Sequence, residues 1–291
     1  MKAIMYSLFP KFLQPLSSEQ LAAAAAESGF DAVDLVVRDG FWVTPANMSE
    51  ETEAFVRTMR QRGLRVEFAT TGYSPEQLAH DTTPLEVMSA SGIRSFRMSY
   101  FAYNEQEEMF VQLDRARASM ERMAELCARY GLKAVYQVHH GGQMLIPHSL
   151  AALYVVRGLP AEQVGIMLDP GNQFREGSEN WRRAIASLGP YLAAIGVKDG
   201  RYRHNPEERT APAKGWQPEF APCQEGVTNW STIAEALRDA EFGGVFNFQP
   251  FYHTAEPERL LTTLKEEAAY IRHTMEMAME KSVERGVKET Q

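Results

Sequence analysis

Several apolar segments of this 291-residue chain end in side chains that are able to carry out acid–base chemistry. Asp169 follows the apolar run Val164–Leu168, and the chain breakers Pro170–Gly171 come directly after it. A carboxylate at the tip of a buried strand is costly unless it has a partner. Lys198 and His139 end two further apolar segments. A carboxylate, an ammonium and an imidazole are therefore candidates to move protons and to balance charge.

The elements that position these side chains are predicted by a recurring glycine. Gly29, Gly63, Gly92 and Gly131 each follow a helical stretch and precede a β-rich run. Glycine just past a helix end supplies the left-handed conformation that closes the helix, and the spacing of roughly 30 to 40 residues suits one βα unit. Strands are predicted near residues 2–8, 32–37, 65–70, 95–99, 133–139, 164–169, 192–198 and 244–249.

Eight strands that alternate with helices predict an α/β fold, a (βα)8 TIM barrel. The alternative is an open doubly wound sheet, but its glycine-rich phosphate turn is missing after the first strand, at Ser7–Lys11. No linker divides the chain, so residues 1–291 are predicted to form a single domain. A long loop rich in glycine, proline and charge is expected at about 199–228, on the face where active sites lie. A C-terminal helix is expected at about 256–284.

Strand alternation decides which side chains point into the barrel. Because the large apolar residues should face the helices, the inward side chains near the carboxyl ends of the strands are polar. They are Asp34, Arg97, Gln137, His139, Asp169, Lys198 and Gln249. Polar groups that converge on one mouth predict a ligand site. The alternative is a polar core whose members only satisfy one another.

Composition limits the partners. The net charge of −8 argues against a nucleic-acid binder, and no apolar run approaches the roughly 18 residues that cross a membrane. Two cysteines do not make a disulfide framework, so a cytoplasmic location is expected. The expected partner is a small sugar or polyol. A homo-oligomer is an open alternative, for which the long loop and the last helix offer surfaces.

Six short segments carry a family resemblance. They are GFDAVDL at 29–35, QVHHGG at 137–142, LDPGN at 168–172, GVKD at 196–199, EGVTNW at 225–230 and GVFNFQ at 244–249. In order and spacing they resemble the xylose-isomerase-like TIM barrels, which include sugar epimerases and isomerases, inosose dehydratases and apurinic endonucleases. The resemblance covers most of the chain.

The resemblance implies a metal site that this chain alters. Family members usually bind one divalent metal through a Glu, an Asp, a His and a second Glu on strands five to eight. The matching positions are Gln137, Asp169, Gly196 and Gln249, and Asn172 stands where the family's DPGH-type turn has His. Amides bind hard cations weakly beside carboxylates, and glycine has no side chain. We therefore expect no metal and no other cofactor. A divalent ion held weakly at Asp169 is the alternative.

The first functional hypothesis is a sugar, sugar phosphate or inosose isomerase or epimerase that transfers a proton next to a carbonyl. His139 or Asp169 would be the base, and Lys198 would stabilise the oxyanion in place of the metal. Arg97, or the pair Arg201 and Arg203, would hold a phosphate or carboxylate. The residues expected to bind substrate are Gln137, Gln249, Asn172, Arg97, Asp34 and Trp216.

Other functions have weaker support in the sequence. A dehydratase needs the same proton abstraction, so the sequence does not separate it from an isomerase. A non-catalytic sugar-binding or regulatory relative is favoured by the Gln, Gly, Gln pattern at the family's ligand positions. A DNA-repair nuclease is disfavoured because the chain is acidic and lacks the many ligands of a trinuclear zinc site.

Overall fold

A ring of parallel strands forms the centre of the computed structural model, which describes residues 3–207, 215–252 and 256–288, with side chains to residue 280. The strands, of which β9 and β10 form a separate hairpin, are β1 (Met5–Leu8), β2 (Ala32–Val33), β3 (Leu35–Val36), β4 (Phe68–Thr70), β5 (Ser95–Arg97), β6 (Lys133–Gln137), β7 (Val164–Leu168), β8 (Leu192–Val197), β9 (Asp199–His204), β10 (Trp216–Ala221) and β11 (Val245–Phe248).

The second barrel strand closes the ring. It is divided at Asp34 into β2 and β3, and the order of the strands is β2-β1-β11-β8-β7-β6-β5-β4-β3. β2 pairs with β1, whereas β3 pairs with β4 on the other side. Counting β2 and β3 as one strand gives the eight parallel strands of a (βα)8 TIM barrel, so the predicted fold class is confirmed.

Helices surround the ring. They are α1 (Ser18–Glu27), α2 (Met48–Arg60), α3 (Pro75–His80), α4 (Thr83–Ala90), α5 (Met109–Tyr130), α6 (Ser149–Val156), α7 (Pro170–Arg175), α8 (Trp181–Leu188), α9 (Trp230–Asp239) and α10 (Pro257–Lys288). α1 begins with a capping box between Ser17 and Gln20, and α5 ends at Gly131, which has a φ of 64°. No helix in the described ranges is long and apolar enough to cross a bilayer.

Two apolar layers form on the two faces of the strands. A large cluster fills the space between strands and helices, and a small one lies inside the ring. The inner cluster includes Val135, Met167, Ala194 and Val245. Because side chains alternate with a period of two, the residues two positions further on also face inward. This places a polar layer above the apolar one, at the carboxyl ends of the strands.

The segment after β8 differs from the loop that the sequence predicts. It contains the antiparallel hairpin of β9 and β10, while residues 208–214 lie outside the described part of the chain. Arg201 and Arg203 both form ion pairs with Glu219 across the hairpin. Opposite charges on facing strands stabilise such a pair. The polar composition of this segment therefore belongs to a solvated hairpin.

The base of the hairpin is fixed by the carboxylate of Asp199. This buried side chain accepts hydrogen bonds from the backbone N–H of Gly200, from the N–H and hydroxyl of Thr228, and from the indole N–H of Trp230. Gly226 passes so close that a Cβ at this position would overlap the carboxylate. The hairpin and the start of α9 are thus tied to one residue.

We expect Gly226→Ala to lower the free energy of unfolding by about 1–3 kcal/mol, because the added methyl displaces the Asp199 carboxylate from its donors. Urea denaturation measures this. Gly142→Ala is the matched control, since a Cβ there meets nothing within 4 Å. Equal stability of the two variants would contradict the role given to Asp199.

Candidate active site

A buried ion pair lies at the centre of the polar layer. Asp169 follows β7 and Lys198 follows β8, and Lys198 Nζ is 2.9 Å from Asp169 Oδ2. The two side chains are 0% and 1% exposed, respectively. Asp169 also caps α7, because its Oδ1 accepts the N–H of Asn172 at 2.8 Å. Neither charge would be tolerated here alone, since an unpaired buried ion costs several kcal/mol.

Two glutamines cover the ion pair on the side of the barrel mouth. Gln137 Nε2 donates to Asp169 Oδ2 at 2.6 Å and to Gln249 Oε1 at 3.2 Å. Gln249 Oε1 also accepts a hydrogen bond from Lys198 at 3.3 Å, while its amide N–H donates to Asn247 Oδ1 at 2.9 Å. The two amides thus provide hydrogen-bond partners for the ion pair without adding charge.

Asn172 completes the shell of the lysine. Its Oδ1 accepts from Lys198 Nζ at 2.8 Å, and its Nδ2 donates to the carbonyl of Val138 at 3.0 Å. His140 Nδ1 contacts the same Oδ1 at 2.9 Å. Lys198 therefore has one acceptor for each of its three N–H groups: Asp169, Asn172 and Gln249. The weakest of the three is the 3.3 Å contact to Gln249.

The residues present do not fit the divalent metal that the resemblance implies. The positions that match the ligand set carry Gln137, Asp169, Gly196 and Gln249, and the lysine ammonium lies against the single carboxylate among them. Gly196 lacks a side chain, and a Cβ there would lie 2.8 Å from Asp169 Oδ2. One carboxylate already neutralised by an ammonium is a poor donor set for a hard cation. In the described ranges no group of three or more His, Cys, Asp or Glu side chains is arranged to hold a metal ion.

A cavity of about 290 Å³ opens above the glutamines. Its walls are formed by Phe9, Lys11, Arg38, Thr70, Arg97, Tyr100, Gln137, His139, Gln249 and Phe251. Phe251 lines the cavity, and the Lys198 Nζ lies 4.4 Å from the centre of its ring. The cavity thus meets the ion pair through two amides and one aromatic face.

His139 contributes the only imidazole among the described residues that line this cavity. Its Nδ1 is 3.0 Å from the carbonyl of His140, which can only accept, so this nitrogen carries the proton and Nε2 has the lone pair. Burial lowers the pKa of His139 to about 4, and the charge of Lys198 contributes to this fall. The imidazole is therefore neutral at pH 7.

Arg97 is buried in the wall of the cavity and donates only to neutral groups. Its Nη1 donates to the Tyr100 hydroxyl and its Nη2 to the carbonyl of Thr71, whereas Nε has no hydrogen-bond partner among the described residues. The Tyr100 hydroxyl in turn donates to Gln137 Oε1 at 3.0 Å. A hydrogen-bond chain therefore joins the arginine to the ion pair.

Asp34 faces inward, as predicted, but lies deeper than the cavity. Its Oδ2 accepts from the Thr70 hydroxyl at 2.6 Å and from Asn247 Nδ2 at 3.0 Å, and the side chain is fully buried. Its Oδ1 has no partner in the described part of the chain. Burial raises the pKa of Asp34 to about 7. The carboxyl group contacts Thr70, which lines the cavity, and not the cavity itself.

Of the nine candidates, the structure brings together Gln137, Asn172, Asp169, Lys198 and Gln249 in one network, with His139 and Arg97 beside it. Trp216 lies apart, because its half-exposed ring packs on His204 of the hairpin and does not line the cavity. The sequence did not indicate Tyr100, Phe251 or Lys11 as wall residues. A signal for Lys11 was present, since it follows the carboxyl end of β1 by three residues.

The fold has counterparts among known proteins. The sequence model of the family described as xylose isomerase-like TIM barrel matches residues 22–278. No curated protein matches the chain.

Three solved structures illustrate the likeness. D-psicose 3-epimerase with D-tagatose from Clostridium cellulolyticum H10 has a TM-score of 0.72 at 15% identity, over 94% of this chain and 99% of that one. The 3-keto-D-glucoside 4-epimerase YcjR from E. coli has a TM-score of 0.67 at 14% identity, over 93% and 99%. The IolI protein with a bound zinc atom has a TM-score of 0.70 at 12% identity, over 96% and 99%. At these identities the likeness establishes the fold alone.

The buried pair predicts strong coupling between its members. Lys198→Met and Asp169→Asn should each lower the free energy of unfolding by about 3–5 kcal/mol, because each leaves or weakens a buried partner. The double variant should lose clearly less than the sum. Chemical denaturation of the four proteins measures the coupling. The exposed pair Arg115 and Glu107 is the control, with an expected coupling below about 1 kcal/mol. Additive losses at Lys198 and Asp169 would contradict the pairing.

Asp34 predicts a pH dependence of stability. Its pKa is higher in the folded chain, about 7, than the ordinary value of 3.8, so the folded state holds the proton more firmly. The corresponding stability is fully present below about pH 4 and is lost as the pH rises through 7, by an amount of the order of 4 kcal/mol. Asp34→Asn should flatten this loss while keeping an acceptor for Thr70 and Asn247. Unfolding free energies at pH 4 to 8 measure it, and an unchanged slope would contradict the assignment.

Proposed function

Because the chain belongs to the family of xylose isomerase-like TIM barrels, we propose that it is a sugar isomerase or epimerase that works without a divalent metal. The substrate is a sugar or a related polyol, bound in the cavity above Gln137 and Gln249. The reaction is proton transfer at a carbon next to a carbonyl. The fixed charges of this chain stabilise the intermediate.

The observation that carries this proposal is the position of the Lys198 ammonium. It lies 2.9 Å from Asp169, the one member of the matching ligand set that keeps its residue. A cation near the substrate oxygen is what an enediolate needs, because negative charge develops there in the transition state. The contact of Lys198 with Gln249 is its weakest, so a substrate oxygen would most readily replace Gln249 Oε1.

His139 is the proposed base. Its Nε2 lone pair takes the proton from the carbon next to the carbonyl, and the electron pair moves to the carbonyl oxygen. Return of the proton to the former carbonyl carbon, together with transfer of the hydroxyl proton to the former carbonyl oxygen, completes an isomerisation. An epimerisation needs a proton from the opposite face, for which Tyr100 and Lys11 are the candidates in the described wall of the cavity. Gln137 and Gln249 hold hydroxyl groups, since neither amide moves protons at neutral pH.

Asp169 takes a positioning role in this proposal. Both of its oxygens are occupied, by Asn172 N–H on one side and by Gln137 and Lys198 on the other. It therefore orients the lysine and the start of α7, and it does not act as the base that the sequence suggested. A cytoplasmic location is part of the proposal, because Cys127 and Cys223 are both buried as free thiols.

A second candidate function is sugar binding without catalysis. The observation in its favour is the same network, in which the three N–H groups of Lys198 and both oxygens of Asp169 already have partners within the protein. A site whose charged groups already have all their hydrogen-bond partners can bind a ligand through its amides without catalysing a reaction. Turnover separates the two candidates.

The test follows solvent exchange. Ketoses, aldoses, inososes and their phosphates are incubated with the protein in D2O, with and without a chelator, and NMR records deuterium at the carbon next to the carbonyl. We expect exchange and conversion that survive the chelator. His139→Gln should lower the rate roughly 10²- to 10⁴-fold, as loss of a general base does, while ligand affinity changes little.

Lys198→Met should lower the rate by a comparable factor because the developing oxyanion loses its cation. Arg62→Gln, at an exposed position that does not line the cavity, is the control and should retain wild-type turnover. Loss of activity in the chelator, with recovery on adding a divalent ion, would overturn the metal-free reaction. If a sugar binds but no member of the panel exchanges hydrogen with the solvent, the second candidate function, sugar binding without catalysis, is supported instead.

A further inference from the structure

The wall of the cavity carries three cations and no acid among its described residues. Lys11 follows β1, Arg38 follows β3, and Arg97 ends β5, and all three line the same cavity. The remaining wall residues are neutral amides, hydroxyls, aromatic rings and His139. This is notable in a chain whose net charge is −8. An excess of positive charge in one cleft favours an anionic ligand.

Within the described residues, no carboxylate forms an ion pair with any of these three cations. Neither Lys11 nor Arg38 forms an ion pair with any residue in the described ranges, and the Lys11 ammonium instead lies 4.6 Å from the centre of the Phe251 ring. Two nearby carboxyl groups are already engaged. Asp169 pairs with Lys198, and Asp34 holds Thr70 and Asn247 beneath the cavity.

Arg97 gives the strongest support for an anionic ligand among the three cations. It is only 6% exposed, so its charge is largely removed from water, yet its partners are a phenol and a carbonyl. Two of its five N–H groups donate, and its Nε has no partner among the described residues. A buried guanidinium normally meets a carboxylate or phosphate, for which its planar fork is suited. No described residue supplies such an anion to Arg97, which lines the cavity.

The cations also repel one another. Burial lowers the pKa of Lys11, and the charges of Arg38 and Arg97 lower it further. Burial lowers the pKa of Arg38 as well, with Arg97 the next cause. Such mutual repulsion is relieved when an anion binds. By contrast, Arg201 and Arg203, the other pair suggested by the sequence, are neutralised by Glu219 and Glu225.

We propose that the substrate is a monosaccharide that carries one carboxylate or phosphate group, and that Lys11, Arg38 and Arg97 bind this group. The inference rests on the proposed function for the sugar part and goes beyond it by naming the charge. The polyol part lies over Gln137, Gln249 and His139. The cavity of about 290 Å³ is at the small end of the roughly 300–1,000 Å³ of ligand pockets, which suits a single sugar ring or chain.

The experiment compares matched ligands by calorimetry. D-glucose, D-mannose and D-galactose are each titrated beside the corresponding uronate and 6-phosphate, with inorganic phosphate as the bare anion. We expect at least one anionic sugar to bind ten or more times more tightly than its neutral counterpart and than phosphate alone, with an affinity that falls as NaCl rises. A preference for uronates assigns the carboxylate, and a preference for 6-phosphates assigns the phosphoryl group.

Lys11→Gln and Arg38→Gln should each weaken the anionic sugar about tenfold and leave the neutral sugar within twofold. Arg62→Gln, which removes an exposed cation that does not line the cavity, is the matched control and should change neither. Three results would overturn the inference. The neutral sugar, its uronate and its 6-phosphate bind equally in every case, no anionic sugar binds at all, or the affinity for the anionic sugar is unaffected by Lys11→Gln and Arg38→Gln. Inorganic phosphate that binds as tightly as every anionic sugar would also overturn it, as an adventitious ion only.

The two proposals fail separately. Tight binding of an anionic sugar without solvent exchange supports the anion site and removes the proposed catalysis. Exchange of a neutral sugar with no gain from a carboxylate or phosphate supports the catalysis and removes the anion site.

Discussion

The buried pair of Lys198 and Asp169 is the constraint on which the site depends. Both charges are almost fully removed from water, and such a pair is stable only with good geometry and hydrogen bonds to the remaining valences. Two glycines make room for it. A Cβ at Gly196 would press on the Asp169 carboxylate, and a Cβ at Gly171 would lie 2.5 Å from the Lys198 Cγ. The absence of a side chain at Gly196, which removes one ligand of the metal set that the resemblance implies, is therefore also what lets the carboxylate take its place beside the lysine.

Gln137 and Gln249, which lie between this pair and the cavity, form a neutral floor of the cavity. This neutral floor changes the electrostatic field that a ligand would meet. Glutamate at position 137 or 249 would add a negative charge beside Asp169, whereas glutamine donates and accepts without one. The electrostatic field in the cavity is then set by groups of the wall. His139 is kept neutral by burial and by the positive charge of Lys198, and Arg97 and Lys11 face the same space. In the proposed reaction, the charge that a metal would supply at one point is instead distributed over several side chains of the protein.

The alternation of strands and helices was enough to predict the barrel. The alternation of side chains along each strand predicted that Gln137, Asp169, Lys198 and Gln249 face inward, because each follows an apolar residue of the inner cluster by two or four positions. That period stops where a strand stops. Tyr100 and Lys11 lie in irregular segments after β5 and β1, so no pattern indicated their direction. The hairpin of β9 and β10 was missed because the apolar alternation of Trp216, Pro218 and Phe220 is confined to β10, while β9 carries Arg201 and Arg203. Asp34 was predicted to face inward, but its depth depends on Thr70 and Asn247, which are 36 and 213 residues away in the sequence.

The division between floor and wall explains how binding and chemistry can be combined in one small cavity. Binding energy from a part of the substrate that does not react can be used to orient the part that does. An anionic group fixed by Lys11, Arg38 and Arg97 would place the sugar along one direction, with its polar chain over the two amides and its reacting carbon near His139. The neutral floor matters here as much as the cations, because a second carboxylate beside Asp169 would repel both the anion and the developing enediolate. The same substitution of amide for carboxylate that argues against a metal thus favours a negatively charged substrate.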